Sequence, residues 1–272
     1  CKIASKAINE MINWLENQDL KRISEIKIRS NYNDEIQISL DYVSDEMLEN
    51  LKSVESIVEI YAKNKNFDLI YRKKQFVDKI GDLSFMISPK SFFQVNQYNT
   101  SLLYDTAKQM MNATANDRIL DLYCGIGTTT MYIGNGNNTI GVEVVKDAVK
   151  DANQNKKLNN LQSIQFIEEK SENVVGKLTK EHFDIILVDP PRKGMDEKVV
   201  EAIIKSTAKK LVYISCNPAT LARDLKLLTE NGFVVENVKL VDMFQKTTHV
   251  ETVALLSKLD VDNHVIVEID LD

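Results

Sequence analysis

Cysteine is scarce in this chain of 272 residues, with three in all, Cys1, Cys124 and Cys216. Three thiols make neither a disulfide framework nor a CxxC metal pair, so a cystine-stapled secreted scaffold is excluded and a cytoplasmic location with reduced thiols is expected. Histidine is as scarce: His182, His249 and His264 stand apart. No cluster of His, Cys and carboxylates has metal-ligand spacing, so no metal site is expected. The chain also lacks the run of ~20 apolar residues that a membrane-crossing helix needs. It lacks a basic-then-apolar leader as well, so secretion is not expected. Internal repeats and low-complexity linkers are missing. The chain opens on Cys1 instead of methionine, and a piece of a longer protein is the expectation.

What is present is ordinary for a globular protein: 43% hydrophobic and 27% charged residues. The length suits one large domain or two small ones. Lys plus Arg at 34 against Asp plus Glu at 40 gives a net charge of −6. The tail from Leu259 to Asp272 holds Asp260, Asp262, Glu268, Asp270 and Asp272 without a Lys or Arg, which leaves −1 for everything before it. A near-neutral body neither demands nor excludes a nucleic-acid partner, because a local basic patch decides phosphate binding.

The first part has a mixed texture. Ile3, Ala7, Ile8, Met11, Ile12 and Leu15 recur at helical spacing. Residues 22–29 and 35–42 alternate apolar with polar around the turn-like Asn31-Tyr32-Asn33-Asp34, which predicts a β-hairpin. A short helix at 45–52 and strands near 56–61, 67–71 and 83–87 complete a small α+β unit. After Ser88-Pro89 strands alternate with helices. Strands are predicted at 118–122, 139–143, 164–167, 184–189, 211–215, 234–240 and 252–257, with helices at 148–159, 197–208 and 220–230. This order predicts an α/β fold with a doubly wound, mostly parallel sheet of seven strands. The last two strands are joined by a loop, which suggests the class I methyltransferase sheet with its seventh strand antiparallel. The expected division is a small α+β domain at 1–90, a methyltransferase domain at 91–258 and an acidic extension at 259–272.

Three strand ends carry candidate ligand chemistry. Asp121-Leu122-Tyr123-Cys124-Gly125-Ile126-Gly127 follows an apolar strand and leads into a helix, and its glycines allow a tight turn with close backbone approach to a ligand. Glu143 ends the next strand, 22 residues after Asp121, where a carboxylate can accept both hydroxyl protons of a ribose. The third glycine of a dinucleotide fingerprint is missing, which favours a phosphate-free cofactor. Asp189-Pro190-Pro191-Arg192-Lys193-Gly194 must leave the sheet at its carboxyl edge, because consecutive prolines cannot continue a ladder. Each feature has a plainer reading, as a tight turn or as a polar strand end.

A fourth strand end carries a nucleophile candidate, Cys216, in Tyr213-Ile214-Ser215-Cys216-Asn217-Pro218. A lone cysteine after a strand is more often a small buried residue. Here Asp242–Glu251 brings a carboxylate to the start of the last strand. A thiolate and a carboxylate beside a methyl-donor site suit addition to an electron-poor ring followed by proton removal. Cys124, inside the glycine turn, reads as a packing residue. His249 reads as a local hydrogen-bonding residue, because no Ser or Cys triad spacing accompanies it.

Four segments together resemble the RNA uracil-C5 methyltransferases, which form 5-methyluridine in tRNA or in large-subunit ribosomal RNA. They are Ser91-Phe92-Phe93-Gln94-Val95-Asn96, the 121–127 turn, 189–194 with 215–218, and 242–251. The resemblance runs from about Ile87 to Ser257. It implies that Cys216 is the nucleophile, that Glu251 is the proton-abstracting base, and that Gln94, Tyr123, Glu143 and Asp189 bind S-adenosyl-L-methionine. Arg192 would orient the uracil or Asp189. An RNA substrate is implied, with 23S rRNA favoured over tRNA, and no membrane or metal-cluster partner. The family's proline in the last motif is replaced by Gln245, followed by Lys246, and neither the TRAM barrel nor a four-cysteine iron–sulfur site is visible. The alternative is a non-catalytic RNA-binding module with a relic donor pocket. Cytosine-C5 methylation of DNA would need a cysteine in the loop that here reads Asp189-Pro190-Pro191.

Overall fold

The computed structural model describes residues 4–63, 68–171, 173–174, 181–243, 247 and 249–259. Helix α1 (Lys6–Leu15) starts at Ser5, whose hydroxyl accepts from the Ile8 amide, and buries Ala7, Met11 and Leu15 on one stripe. The predicted hairpin forms from β1 (Ile26–Ser30) and β2 (Ile36–Leu40), paired antiparallel. Helix α2 (Asp45–Ser53) crosses over to β3 (Ile57–Ala62), which pairs parallel to β2, and β4 (Asp68–Arg72) adds antiparallel on the far side. Ile36, Ile38, Ile57 and Ile60 close one face of this four-stranded sheet against α1 and α2.

A second hairpin, β5 (Val77–Ile80) with β6 (Leu83–Met86), turns at Gly81, whose φ is +57°. β5 is not among the predicted strands. Phe76, Ile80, Phe85 and Ile87 pack in the same apolar cluster as Ile119, Leu187 and Val212 of the large sheet. The hairpin ahead of residue 90 therefore shares its core with the large sheet.

The large unit contains α3 (Gln97–Met111), β7 (Arg118–Leu122), α4 (Thr128–Tyr132), β8 (Asn138–Glu143), α5 (Lys146–Leu158), β9 (Ile164–Glu168) and β10 (Ile185–Val188). It continues with α6 (Glu197–Lys205), β11 (Lys210–Ser215), α7 (Pro218–Thr229), β12 (Phe233–Val241) and β13 (Glu251–Lys258). Its seven strands lie in the order β12-β13-β11-β10-β7-β8-β9. β9, β8, β7, β10 and β11 run parallel, while β13 is antiparallel to both neighbours. The seven predicted strands and the reversed seventh are all present. Ile185, Ile186, Leu187 and Val188 are buried on both faces, as expected of a central parallel strand covered by helices.

One face of α5 stitches the two sheets together. Asp151, Asn155 and Asn159 are spaced four apart, so they share a helix face with about 6 Å between levels. They meet Ser88, Met86 and Ser84, spaced two apart on an extended segment with about 6.8 Å between levels. Asn155 accepts from the Met86 amide at 2.7 Å and donates to its carbonyl at 3.1 Å. Asn159 does the same for Ser84 at 2.8 and 2.7 Å. Asp151 accepts from the Ser88 amide at 3.2 Å, the Ser88 hydroxyl at 2.7 Å and the Ser91 hydroxyl at 2.8 Å. Side-chain amides thus replace the neighbouring strand that β6 lacks on this side.

Substituting Asn155→Leu leaves the Met86 N–H and C=O without partners in a buried place. The expected loss is about 2–3 kcal/mol, or roughly 5–10 °C in melting temperature. Thermal unfolding followed by circular dichroism checks it, and an unchanged Tm would mean that the stitch contributes no stability.

Candidate active site

Strand register brings the predicted residues to one edge. Leu122 is level with Val142 of β8 and with Val188 of β10. The next residues in line, Glu143, Tyr123 and Asp189, therefore end three adjacent parallel strands side by side. On the other half of the sheet, Ser215 of β11 pairs with Thr252 of the reversed β13. One step further puts Cys216 opposite Glu251.

The turn after β7 is built to hold an open face. Tyr123, Gly125 and Gly127 have φ of +67°, +54° and +86°, three left-handed residues within five positions. At Gly127 an added Cβ would lie 2.6 Å from the Phe166 ring, so packing demands glycine there. At Gly125 nothing lies within 4 Å of an added Cβ, so the backbone there faces open space instead of protein. Glu143 accepts from the Gly125 amide at 3.1 Å through one oxygen and from the Val145 amide at 2.8 Å through the other. Each oxygen keeps a lone pair, the set that two ribose hydroxyls require. Asp121 is fully buried, its Oδ2 accepting from Thr129 at 2.7 Å and Thr130 at 2.6 Å, while its Oδ1 has no partner. Burial pushes its pKa up to about 7; the two hydroxyls pull it down and Glu143 adds to the rise.

Cys216 is partly exposed and stands just before Asn217, whose side chain caps α7 by accepting from the Ala219 amide at 3.1 Å. Burial raises its thiol pKa, the charges of Glu251 and Asp189 raise it further, and Arg192 lowers it. Glu251 is buried, with 7% exposure, and burial raises its pKa against the pull of Arg192. Asp189 is pushed up to about 8 by burial, then by Glu251 and Asp121. These interactions place Cys216, Glu251, Asp189 and Arg192 in one electrostatic neighbourhood.

Two tethers were not legible beforehand. The Asn217 side chain and the Thr220 hydroxyl donate to the Arg192 carbonyl at 3.1 and 3.2 Å. Arg223 donates to the carbonyls of Lys193 and Met195 at 3.0 and 3.1 Å. The buried Asp224 carboxylate accepts from the Met195 amide at 2.9 Å and the Tyr213 hydroxyl at 2.8 Å. A carboxylate between Leu221 and Leu228 on the buried stripe of α7 was the available signal. The second tether joins the motif before α3 to the last motif. Asn96 donates to the Met243 carbonyl and Asn99 to the Asp242 carbonyl, both at 2.7 Å.

Gln94 is buried, with 9% exposure, on the loop that Asn96 anchors. Cys124 is buried and its pKa is raised by burial, in keeping with a packing role. His249 is exposed, and its amide donates to the Thr247 hydroxyl at 3.2 Å. His182 bonds Asp184 at 2.9 Å, away from these strand ends. Gln245, Lys246 and the acidic tail from Asp260 lie outside the described residues. Among the described residues no group of His, Cys, Asp and Glu could hold a metal ion, and no helix is long and apolar enough to cross a membrane.

A seven-stranded sheet in this order, ligand chemistry at its carboxyl edge and a reversed seventh strand define the class I S-adenosylmethionine-dependent methyltransferase fold. An S-adenosylmethionine-dependent methyltransferase from Agrobacterium tumefaciens shares that fold, with a TM-score of 0.54 and 15% identity over 87% of this chain and 90% of that one. The profile of the tRNA (uracil-5-)-methyltransferase family matches residues 1–259, and the chain belongs to that family. The tRNA (uracil-54, C5)-methyltransferase of Pyrococcus abyssi, in complex with S-adenosyl-L-homocysteine, aligns with a TM-score of 0.76 and 26% identity, covering 92% of this chain and 66% of that one. An uncharacterized RNA methyltransferase of Oceanobacillus iheyensis is 40% identical over 80% of this chain and 50% of its own length. One of Caldanaerobacter subterraneus is 44% identical over 72% of this chain and 44% of its own. The chain thus spans about half the length of the curated relatives it matches.

The Asp189 carboxyl has a testable signature. Its pKa of about 8 in the folded chain stands far above the ~3.9 of an unfolded aspartate. The folded state therefore holds a proton that the unfolded state releases. Stability from this group is complete below about pH 4 and is lost progressively as pH rises to about 8. Asp189→Asn removes that loss. Melting temperatures of wild type and variant should diverge from pH 5 to pH 8.5 in the variant's favour; parallel curves would contradict the assignment.

Proposed function

We propose that this chain is the catalytic part of an S-adenosyl-L-methionine-dependent RNA (uracil-C5)-methyltransferase, with Cys216 as nucleophile, Glu251 as base and Gln94, Tyr123, Glu143 and Asp189 holding the donor. The observation that supports it best is the facing of Cys216 and Glu251 across β11 and β13, beside the row Glu143–Tyr123–Asp189. The open face at Gly125, the spare lone pairs of Glu143 and the surrounding carboxylates fit a ribose-bearing donor of positive charge.

Uracil C5 is a poor nucleophile, and the site's chemistry answers that. Cys216 Sγ, having lost its proton, bonds to C6, and the C5–C6 π pair moves onto C5 and its conjugated carbonyl. When bound, S-adenosylmethionine supplies an electrophilic methyl group on its sulfonium sulfur for that carbon. Glu251 then removes the C5 proton, the C–H pair re-forms the double bond, and the Cys216 thiolate leaves. Arg192 draws the thiol pKa down against burial and two carboxylates, which favours the ionised nucleophile. The target base has to be unstacked to reach this edge, which suits a uridine in an RNA loop. Either RNA puts the reaction in the cytoplasm.

The test uses 5-fluorouridine-substituted transcripts of 23S rRNA fragments and of tRNA, incubated with the chain and donor. Fluorine at C5 blocks proton removal, so a denaturation-stable adduct is expected with wild type and none with Cys216→Ala. The transcript that is trapped decides between the ribosomal substrate we favour and tRNA. Glu251→Gln should hold the adduct on ordinary uridine RNA and slow turnover by roughly 10²–10⁴-fold. Donor binding without any adduct would reject the covalent scheme and favour the relic RNA-binding module.

A further inference from the structure

Beside this edge, a cleft of about 400 Å³ separates the small sheet from the first half of α5. Its cationic side chains are Arg72 of β4, Lys90 after β6 and Lys150 of α5, with Gln75 and Gln154 supplying amides. Tyr61 and Asp151 form buried parts of its wall.

The arrangement at Arg72 is that of a preset anion grip. Its Nε donates to Glu59 Oε1 at 2.7 Å. Glu59 has no exposure, and its other oxygen accepts from Gln37 and Tyr61, both at 3.0 Å. Gln37 is in turn fixed by donating to the Ile87 carbonyl at 2.8 Å. A buried carboxylate thus holds one edge of the guanidinium, the Tyr61 hydroxyl also lies against it, and Arg72, its side chain 40% exposed, lines the cleft. The acid in the wall is turned inward: Asp151 accepts from Ser88 and Ser91, and the charge of Arg29 offsets its own. Exposed at the mouth are Lys90 and Lys150, with Asp147. The wall formed by residues 88–90 runs directly into the 91–96 loop, and α5 begins three residues after Glu143. A strand with one base in the site has this cleft beside it.

We propose that the cleft binds a phosphodiester group of the RNA strand that flanks the target nucleotide, through the Arg72 guanidinium, Lys150 and the two glutamine amides. The proposal rests on the RNA reading above. A phosphate contact fixes register and orientation without reading sequence, and its affinity falls with salt.

The test measures binding of the full chain to fluorescein-labelled tRNA and 23S rRNA-fragment transcripts by anisotropy, between 50 and 200 mM KCl. Lys150→Gln should raise Kd about 3- to 10-fold at low salt and flatten the log Kd–log salt slope by about 0.7–0.9. Arg72→Lys keeps the charge beside Glu59 but loses the guanidinium; it should raise Kd severalfold with the slope unchanged. Lys156→Gln, outside this cleft on the same helix, should alter neither. S-adenosylmethionine affinity and Tm, measured alongside, report that each variant is folded. If Lys150→Gln and Arg72→Lys both bind as wild type while wild type still forms the 5-fluorouridine adduct, the cleft proposal fails alone. A wild-type chain that binds neither RNA overturns this proposal together with the one it rests on.

Discussion

The site depends on one reversal in strand direction. In a wholly parallel sheet, residues that begin strands lie at the opposite edge from residues that end them. For strands of five or six residues that separation is about 17–20 Å. β13 runs against β11 and β12, so its first residue, Glu251, arrives at the edge where Cys216 leaves β11. Such a reversal needs a connection that turns back without a crossover helix. The chain supplies one between Val241 and Glu251, and Asn96 and Asn99 hold its first residues. The Ser91–Asn96 motif and the last motif are therefore one structural device, although about 150 residues separate them.

Placing strand ends together also concentrates charge. Asp121, Glu143, Asp189 and Glu251 crowd neighbouring positions, and burial with mutual repulsion raises Asp121 and Asp189. Arg192 is the cation that acts on both Cys216 and Glu251. A phosphate group would be repelled here, in agreement with the missing third glycine of a pyrophosphate-binding turn, whereas a positively charged ligand relieves the repulsion. The cleft beside it sets Arg72, Lys90 and Lys150 against Asp147 and Asp151. A near-neutral sum over the body of the chain conceals an acidic edge with a group of cleft cations beside it, so net charge carried no information about partners.

How much of this was legible depends on how local each signal is. β7, β10 and β11 are short apolar runs buried on both faces, and such runs announce themselves. The glycine turn and the double proline are equally local, because backbone conformation is encoded at the residues that adopt it. β5 escaped because Val77-Asp78-Lys79-Ile80 does not alternate apolar with polar, its buried positions being Asp78 and Ile80. The texture change at Ser88-Pro89 suggested a boundary near 90, yet Phe76, Ile80 and Phe85 already pack with the large sheet. Patterning reports which residues are buried but not which core receives them. The Tyr213–Asp224–Arg223 tether and the Asn155 and Asn159 stitch join positions far apart in sequence. Their one local trace was polar residues at helical spacing on buried stripes.

That stitch also bears on how the two charged regions work together. α5 begins three residues after Glu143, and Lys150 lies four residues beyond its first, a rise of about 6 Å. The face of the helix that carries Asp151 and Asn155 holds residues 86–91, which lead into the loop bearing Gln94. A single helix therefore sets the distance from the Glu143 carboxylate to the cleft lysine, and its side chains set the position of the loop between them. In the arrangement proposed, an RNA strand engaged in the cleft presents its neighbouring base to the edge where Cys216 and Glu251 meet. The energy of phosphate contact can then offset the cost of unstacking that base, a few kcal/mol.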